Sequence, residues 1–240
     1  MTYDMTGKVI AVTGASGNIG SGVVKAFAET GARIALIDRD AGKLSRLITE
    51  LGGDTDKYKG LPADLGDPEA VDTLINHIID HFGGVDHLVH TVGGFAMGDN
   101  VHDVNLDTFD LMMNLNVRIT YIVAGKFAAQ MVNTLTPGSI SLILARAGES
   151  GAKGKSAYTA SKAAATRVME SMAQELKAHN IRVNGMSPTT VDTPPNRESM
   201  PDSDFDKWVK PAEIGDLAVF LASDAGSAVT GANVVIAGRT

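Results

Sequence analysis

Short apolar runs alternate with amphipathic stretches along most of the chain. The runs at 8–13, 33–37, 58–61, 85–91, 138–144, 182–186 and 233–236 are the length of buried strands. Between them, apolar positions recur at helical spacing and predict helices over 21–29, 41–51, 68–82, 106–133, 157–179 and 211–222. Strand and helix in alternation give a parallel, doubly wound α/β sheet, with ligands at the carboxyl ends of its strands. No internal repeat, linker or low-complexity tract divides the pattern, so residues 1–240 are read as one domain.

The first strand runs into Thr13-Gly14-Ala15-Ser16-Gly17-Asn18-Ile19-Gly20, which opens the first helix. Glycines there let the backbone approach a pyrophosphate, and the opening N–H groups of the helix carry partial positive charge toward it. The alternative is only a tight strand-to-helix connection. The second strand ends at Asp38, placed to accept hydrogen bonds from an adenosine ribose and to repel a 2′-phosphate, which favours NAD over NADP. Arg39 beside it is able to pair with that phosphate, so NADP stays open. Asp64 and Leu65 follow the third strand; Asp64 either meets the adenine amino group or caps the coming helix. After the fourth strand, Gly93 permits close approach of the chain to a ligand.

The helix over 157–179 carries Tyr158 and Lys162, four residues apart and therefore on one face. A neighbouring ammonium favours the phenolate, so Lys162 is expected to lower the Tyr158 pKa and make it a proton donor or acceptor nearer neutral pH. The bland alternative is a surface pair on an amphipathic helix.

Composition narrows the function classes. The chain is 44% hydrophobic and 20% charged, with 26 glycines, as suits a globular fold with many tight turns. A net charge of −7 without a basic cluster argues against nucleic acid. The absence of cysteine removes disulfides and thiolate metal sites and fits a reducing, cytoplasmic setting. Met1 to Gly7 lacks the pattern of a signal peptide, and no apolar run is long enough for a membrane helix. His77 and His81 share a helix face without a third ligand, so no metal site is expected.

Taken together, Thr13-Gly14 through Gly20, Asp38, Asp64, Gly93, Asn116, Tyr158 with Lys162, and Asn184 through Thr193 resemble the short-chain dehydrogenases/reductases over nearly the whole length. The resemblance implies a Rossmann-type fold, a nicotinamide cofactor, a small-molecule substrate and a homodimer or homotetramer. It implies that Tyr158 is the catalytic acid/base, that Lys162 binds the nicotinamide ribose, and that Asn116 holds a proton-relay water. Cofactor contacts are implied for Gly14, Ser16, Gly17, Asn18, Ile19 and Gly20, and for Asp38, Arg39, Asp64 and Leu65. They are implied likewise for Gly93, Lys162, Pro188, Val191 and Thr193.

Three departures stand out. The middle glycine of the turn falls at Gly17, with Asn18 in its usual place, and His90-Thr91-Val92-Gly93 replaces Asn-Asn-Ala-Gly. The family's serine, thirteen positions before the tyrosine, is Ala145. Losing such an oxyanion donor costs about 2.7–4 kcal/mol in other enzymes. One branch of the family, the dihydropteridine reductases, does without that serine. Gly93 through Gly98, the segment from Asp192 through Asp204-Phe205 and Trp208, and the terminal Gly238-Arg239-Thr240 resemble it. The expectation is an NAD(H)-dependent reductase of a quinonoid pterin or quinone, its pocket lined by Phe95, Met97, Met186, Met200 and Trp208. Each of these equally suits an ordinary core. The alternatives are a carbonyl or 3-oxoacyl reductase, or a homologue that binds cofactor without catalysis.

Overall fold

The computed structural model describes residues 3–98 and 100–239; Met1, Thr2, Asp99 and Thr240 lie outside it, including the last residue of the C-terminal match. Seven strands form one fully parallel sheet. They are β1 (Val9–Thr13), β2 (Arg33–Asp38), β3 (Tyr58–Pro62), β4 (His87–His90), β5 (Gly138–Ile143), β6 (Ile181–Pro188) and β7 (Asn233–Ile236), in the order β3-β2-β1-β4-β5-β6-β7. Among the described residues the α-helices are α1 (Asn18–Ala28), α2 (Ala41–Glu50), α3 (Pro68–Phe82), α4 (Leu106–Met113), α5 (Ile119–Asn133), α6 (Ser156–Glu175), α7 (Pro194–Ser199) and α8 (Pro211–Ala222).

Residues of the inner strands β1, β2, β4, β5 and β6 are mostly buried on both faces because helices cover both. Val9, Ala11 and Leu88 pack with α3, α5 and α6, including Phe127 and Met169. Ile10, Val12 and Val89 pack with α1, α2 and α8, including Phe27, Leu44 and Ile214. Successive side chains point to opposite faces of a strand, so one run serves two cores. The chain winds outward from β1 to β3 and then returns to place β4 on the other side of β1. That reversal opens a crevice at the carboxyl ends of β1 and β4. Among the described residues no helix is long and apolar enough to cross a membrane.

Two differences from the sequence expectation bear on the site. α1 begins at Asn18 rather than Ser21, because the glycines that open it carry no apolar periodicity. The single helix over 106–133 is two helices joined by a π turn at Asn114–Arg118. The extra residue is held by the Ile119 N–H donating to the Asn114 carbonyl, and Asn116 within the turn is buried.

Candidate active site

The crevice begins at the glycine turn. Gly14 has φ +67°, and the Gly17 N–H donates back to its carbonyl at 2.9 Å. A Cβ on Gly20 would lie 2.0 Å from the Gly14 oxygen, so the first turn of α1 rests directly on the loop and only glycine fits. Gly17 is the N-cap of α1 and supplies no side-chain cap, which leaves the helix's opening N–H groups facing the crevice. Asp38 reaches this loop from β2: one carboxylate oxygen accepts from the Ser16 hydroxyl (2.6 Å) and N–H (3.1 Å), the other from the Arg39 N–H (2.7 Å). The Arg39 guanidinium pairs with exposed Asp64 at 3.3 Å. Asp64 also accepts the Gly66 N–H, and α3 is capped by Asp67, so Asp64 is not the helix cap. Leu65 buries its side chain in the core, which leaves only its backbone at the crevice.

Across the crevice, α6 presents Tyr158 and Lys162. Lys162 is buried, and its Nζ donates to the Ile143 carbonyl at 3.2 Å; burial pushes its pKa down to about 8. Burial raises the Tyr158 pKa, and this corrects the sequence expectation that the nearby ammonium lowers it. In this structure desolvation outweighs the lysine's charge. Asn116 grips the loop after β4 from both sides: its Oδ1 accepts the Gly94 N–H (2.9 Å) and its Nδ2 donates to the Gly94 carbonyl (3.0 Å). The same Nδ2 donates to the Ser161 hydroxyl at 3.0 Å, which in turn donates to the Tyr158 carbonyl at 2.8 Å. A Cβ on Gly93 would lie 2.8 Å from the Asn116 Oδ1 and 3.2 Å from the Lys162 Nζ. The close approach at Gly93 is therefore to this cluster itself.

His90 and Ser161 complete the cluster, and sequence reasoning assigned neither a role. The His90 Nδ1 lies 2.8 Å from the Thr13 hydroxyl, while its Nε2 is buried without a hydrogen-bond partner. Burial and the charge of Lys162 hold its pKa at about 3, so the ring is neutral. The available signal was a histidine closing the short run His87-Leu88-Val89-His90, all four of which are buried.

The Phe95 ring meets the Tyr158 ring edge-on, with centroids 4.8 Å apart, and is itself 55% exposed. Ala145 is buried just after β5, and the exposed Ser150 and Ser156 stand elsewhere on the chain. Of the residues expected in a pocket, Phe95, Met97 and Met200 are exposed. Met186 is not among them: strand alternation turns it into the core with Ile143 and Val209. Trp208 is buried with its ring 4.8 Å from that of Phe205.

Residues 8–204 match the family described as short chain dehydrogenase. The chain belongs to that family. It is 30% identical to D-threitol dehydrogenase of Mycolicibacterium smegmatis, over 98% of this chain and 94% of that protein. It is 31% identical to carbonyl reductase [NADPH] 2 of Sus scrofa, over 98% and 97%. Among solved structures, NAD+-bound xylitol dehydrogenase superposes with a TM-score of 0.89 at 28% identity, covering 97% of this chain and 98% of that one. A short-chain dehydrogenase/reductase of Mycobacterium marinum gives 0.89 at 31% identity, over 99% and 96%.

The family binds a nicotinamide dinucleotide, and the short-chain dehydrogenase residues present here fit it. The N-terminus of α1 lacks a side-chain cap, as an approaching pyrophosphate requires, and Asp38 stands at the end of the adjacent strand. Pro188 ends β6 on the same carboxyl edge, and Val191 bridges to Val209. The Thr193 hydroxyl caps α7 by accepting the Asn196 N–H. Asp192 fastens this segment by accepting from Arg197 and from the Lys210 Nζ (2.7 Å). On the outer face of α3, the His81 Nε2 lies 3.1 Å from the Thr55 carbonyl oxygen.

Proposed function

We propose that this short-chain dehydrogenase/reductase reduces a planar conjugated acceptor of the quinonoid pterin or quinone class with NADH. The observation that carries the reading is the pairing of an exposed Phe95 ring against Tyr158 with Ala145 where the family has serine. An aromatic face beside the proton donor favours a flat, conjugated ligand. When bound, the nicotinamide supplies a hydride to the acceptor. Tyr158, with its pKa raised by burial, holds its proton at neutral pH and gives it to the reduced oxygen or nitrogen. Hydride and proton together make the two-electron reduction, and a quinonoid ring accepts hydride without a donor polarising a ketone oxygen. Lys162 places a buried positive charge beside this chemistry, and Asn116 holds Gly94 and the Tyr158 turn in place through Ser161.

Asp38 supports NADH over NADPH, because a carboxylate at the ribose repels a 2′-phosphate. The expected assembly is a homodimer or homotetramer built on α4, α5 and α6. The second reading is a carbonyl or polyol dehydrogenase, favoured by the activities named for the relatives above. Following NADH oxidation with quinonoid dihydropterin, 2-methyl-1,4-benzoquinone and an aliphatic ketone separates the two. Turnover of a quinonoid acceptor supports the first reading, and turnover of the ketone alone supports the second.

A further inference from the structure

Seven of the eleven exposed large hydrophobic side chains among the described residues fall between Phe95 and Leu111. The other four, Tyr121, Leu135, Met200 and Val235, are scattered in sequence, as single exposed hydrophobics normally are. Five of the seven wall a cavity of about 240 Å³ between the segment 96–109 and residues 154–157. Met97, Val101, Val104, Leu106 and Phe109 supply its apolar side. The lining is continuous in the chain with the Phe95–Tyr158 pair on both sides. Phe95, edge-on to Tyr158, precedes Ala96 and Met97 in the chain, and Ala157 of the lining precedes Tyr158 itself.

Val104 carries a second, independent signal. Its φ is +51°, a left-handed conformation that a β-branched residue rarely adopts. The preceding turn holds it there, with the Asn100 N–H and Nδ2 donating to the Asp103 carboxylate at 2.8 and 3.1 Å. The strained side chain is 68% exposed, so burial within the chain does not compensate it. Strain kept without compensation from the chain's own core points to a ligand contact.

Size decides what the cavity takes. Whole-ligand pockets run to about 300–1,000 Å³, whereas an apolar cavity of about 150 Å³ already binds benzene. At about 240 Å³ this one falls short of a whole-ligand pocket and is ample for one apolar arm.

We propose that the cavity seats an apolar substituent of the acceptor, so that the substrate is a quinone-type ring bearing an alkyl or isoprenoid-like arm. The inference rests on the planar-acceptor reading above and narrows it away from rings with polar side chains. The test uses 1,4-benzoquinones carrying methyl, propyl or hexyl at one ring position, with NADH as donor and the uncatalysed rate subtracted. The three share ring electronics, so differences report the arm. The kcat/KM is expected to rise by up to about fourfold per methylene until the cavity is filled. Val104→Asn suits the left-handed backbone and keeps the turn while removing the apolar wall. It is expected to leave the methyl compound within about twofold and to bring the hexyl-to-methyl ratio toward one. A flat series with good turnover of the methyl compound overturns the inference and leaves the planar-acceptor reading standing. So does a steep series that Val104→Asn and Leu106→Asn both leave unchanged. Loss of assembly by Leu106→Asn with an unchanged ratio makes the patch an interface between copies and overturns it as well. If no member is reduced, the planar-acceptor reading itself falls and the inference with it.

Discussion

The rings of Phe95 and Tyr158 lie at 85° to one another with centroids 4.8 Å apart. Phe95 belongs to the loop after β4 and Tyr158 to the first turn of α6, so two elements meet at this tyrosine. Asn116 fixes both partners at once, holding Gly94 beside Phe95 and, through Ser161, the backbone of Tyr158. The geometry therefore joins Tyr158, the proposed acid/base, to a flat apolar surface.

Phe95→Leu keeps an apolar side chain and removes the ring. Aromatic pairs contribute about 0.5–1.5 kcal/mol beyond area burial, so kcat/KM for a quinone should fall about 2–10-fold. Turnover of an aliphatic ketone, which gains nothing from stacking, should stay nearly constant. Steady-state kinetics on both acceptors check this, and an equal fall on both contradicts it.

Burying Lys162 costs stability. Its folded pKa of about 8 lies below its ordinary 10.5. Between those values the unfolded chain binds the proton more tightly, so stability of the cofactor-free protein rises with pH through that window. Below pH 8 the full penalty applies, at most about 3 kcal/mol. Lys162→Met should stabilise the cofactor-free protein at pH 7 by about 1–3 kcal/mol, abolish reductase activity, and show no stability gain above about pH 10.5. Urea denaturation at the two pH values reads this directly.

His87 and His90 set the acid limit. Burial holds them at about 4 and about 3, against an ordinary 6.5. Asp86 and Asp224 oppose the shift of His87, while Lys8 and Arg182 add to it; Lys162 adds to that of His90. Both folded values are depressed, so the unfolded chain takes up the protons first and stability is lost as pH falls below 6.5. With both rings neutral in the fold, the loss approaches about 2.7 kcal/mol per pH unit between pH 6 and 4. Urea midpoints at pH 7, 6 and 5 should drop accordingly, and His87→Gln with His90→Asn should flatten the slope.

Cofactor choice rests on Asp38. Fluorescence titration should show NADH bound more tightly than NADPH, and Asp38→Ala should narrow or reverse the difference. Because Asp38 also holds Ser16, the variant should weaken NADH itself. Tighter NADPH binding by the unaltered protein would mean that Arg39 prevails.

Much of the fold was legible in the chain, because terminal signals and periodicity agreed. Pro68–Phe82, Pro211–Ala222 and Asn233–Ile236 fall where the pattern puts them. α3 shows why: it opens on capping Asp67 and Pro68 and closes on Gly83 at φ +86°. The π turn at 114–118 was not legible, since one inserted residue barely disturbs an apolar stripe of helical spacing. Met186 was misplaced because strand alternation, not its chemistry, decides which way it faces. The spacing of Tyr158 and Lys162 was readable, but their burial was not, and burial sets the direction of both pKa shifts. The partnerless His90 Nε2 depends on the depth of β4 within the sheet, which no local pattern encodes.

The central claim is that Ala145 marks a site adapted to acceptors that need no second oxygen donor. The direct test is NADH oxidation by the unaltered protein, Ala145→Ser and Tyr158→Phe, each with 2-methyl-1,4-benzoquinone, quinonoid dihydropterin and an aliphatic ketone. The account predicts quinonoid turnover by the unaltered protein that Ala145→Ser leaves within a few-fold. Ketone activity should rise in Ala145→Ser by no more than about 10²–10³-fold, and Tyr158→Phe should lower both activities. No quinonoid turnover in the unaltered protein, together with ketone reduction switched on by Ala145→Ser, would contradict it.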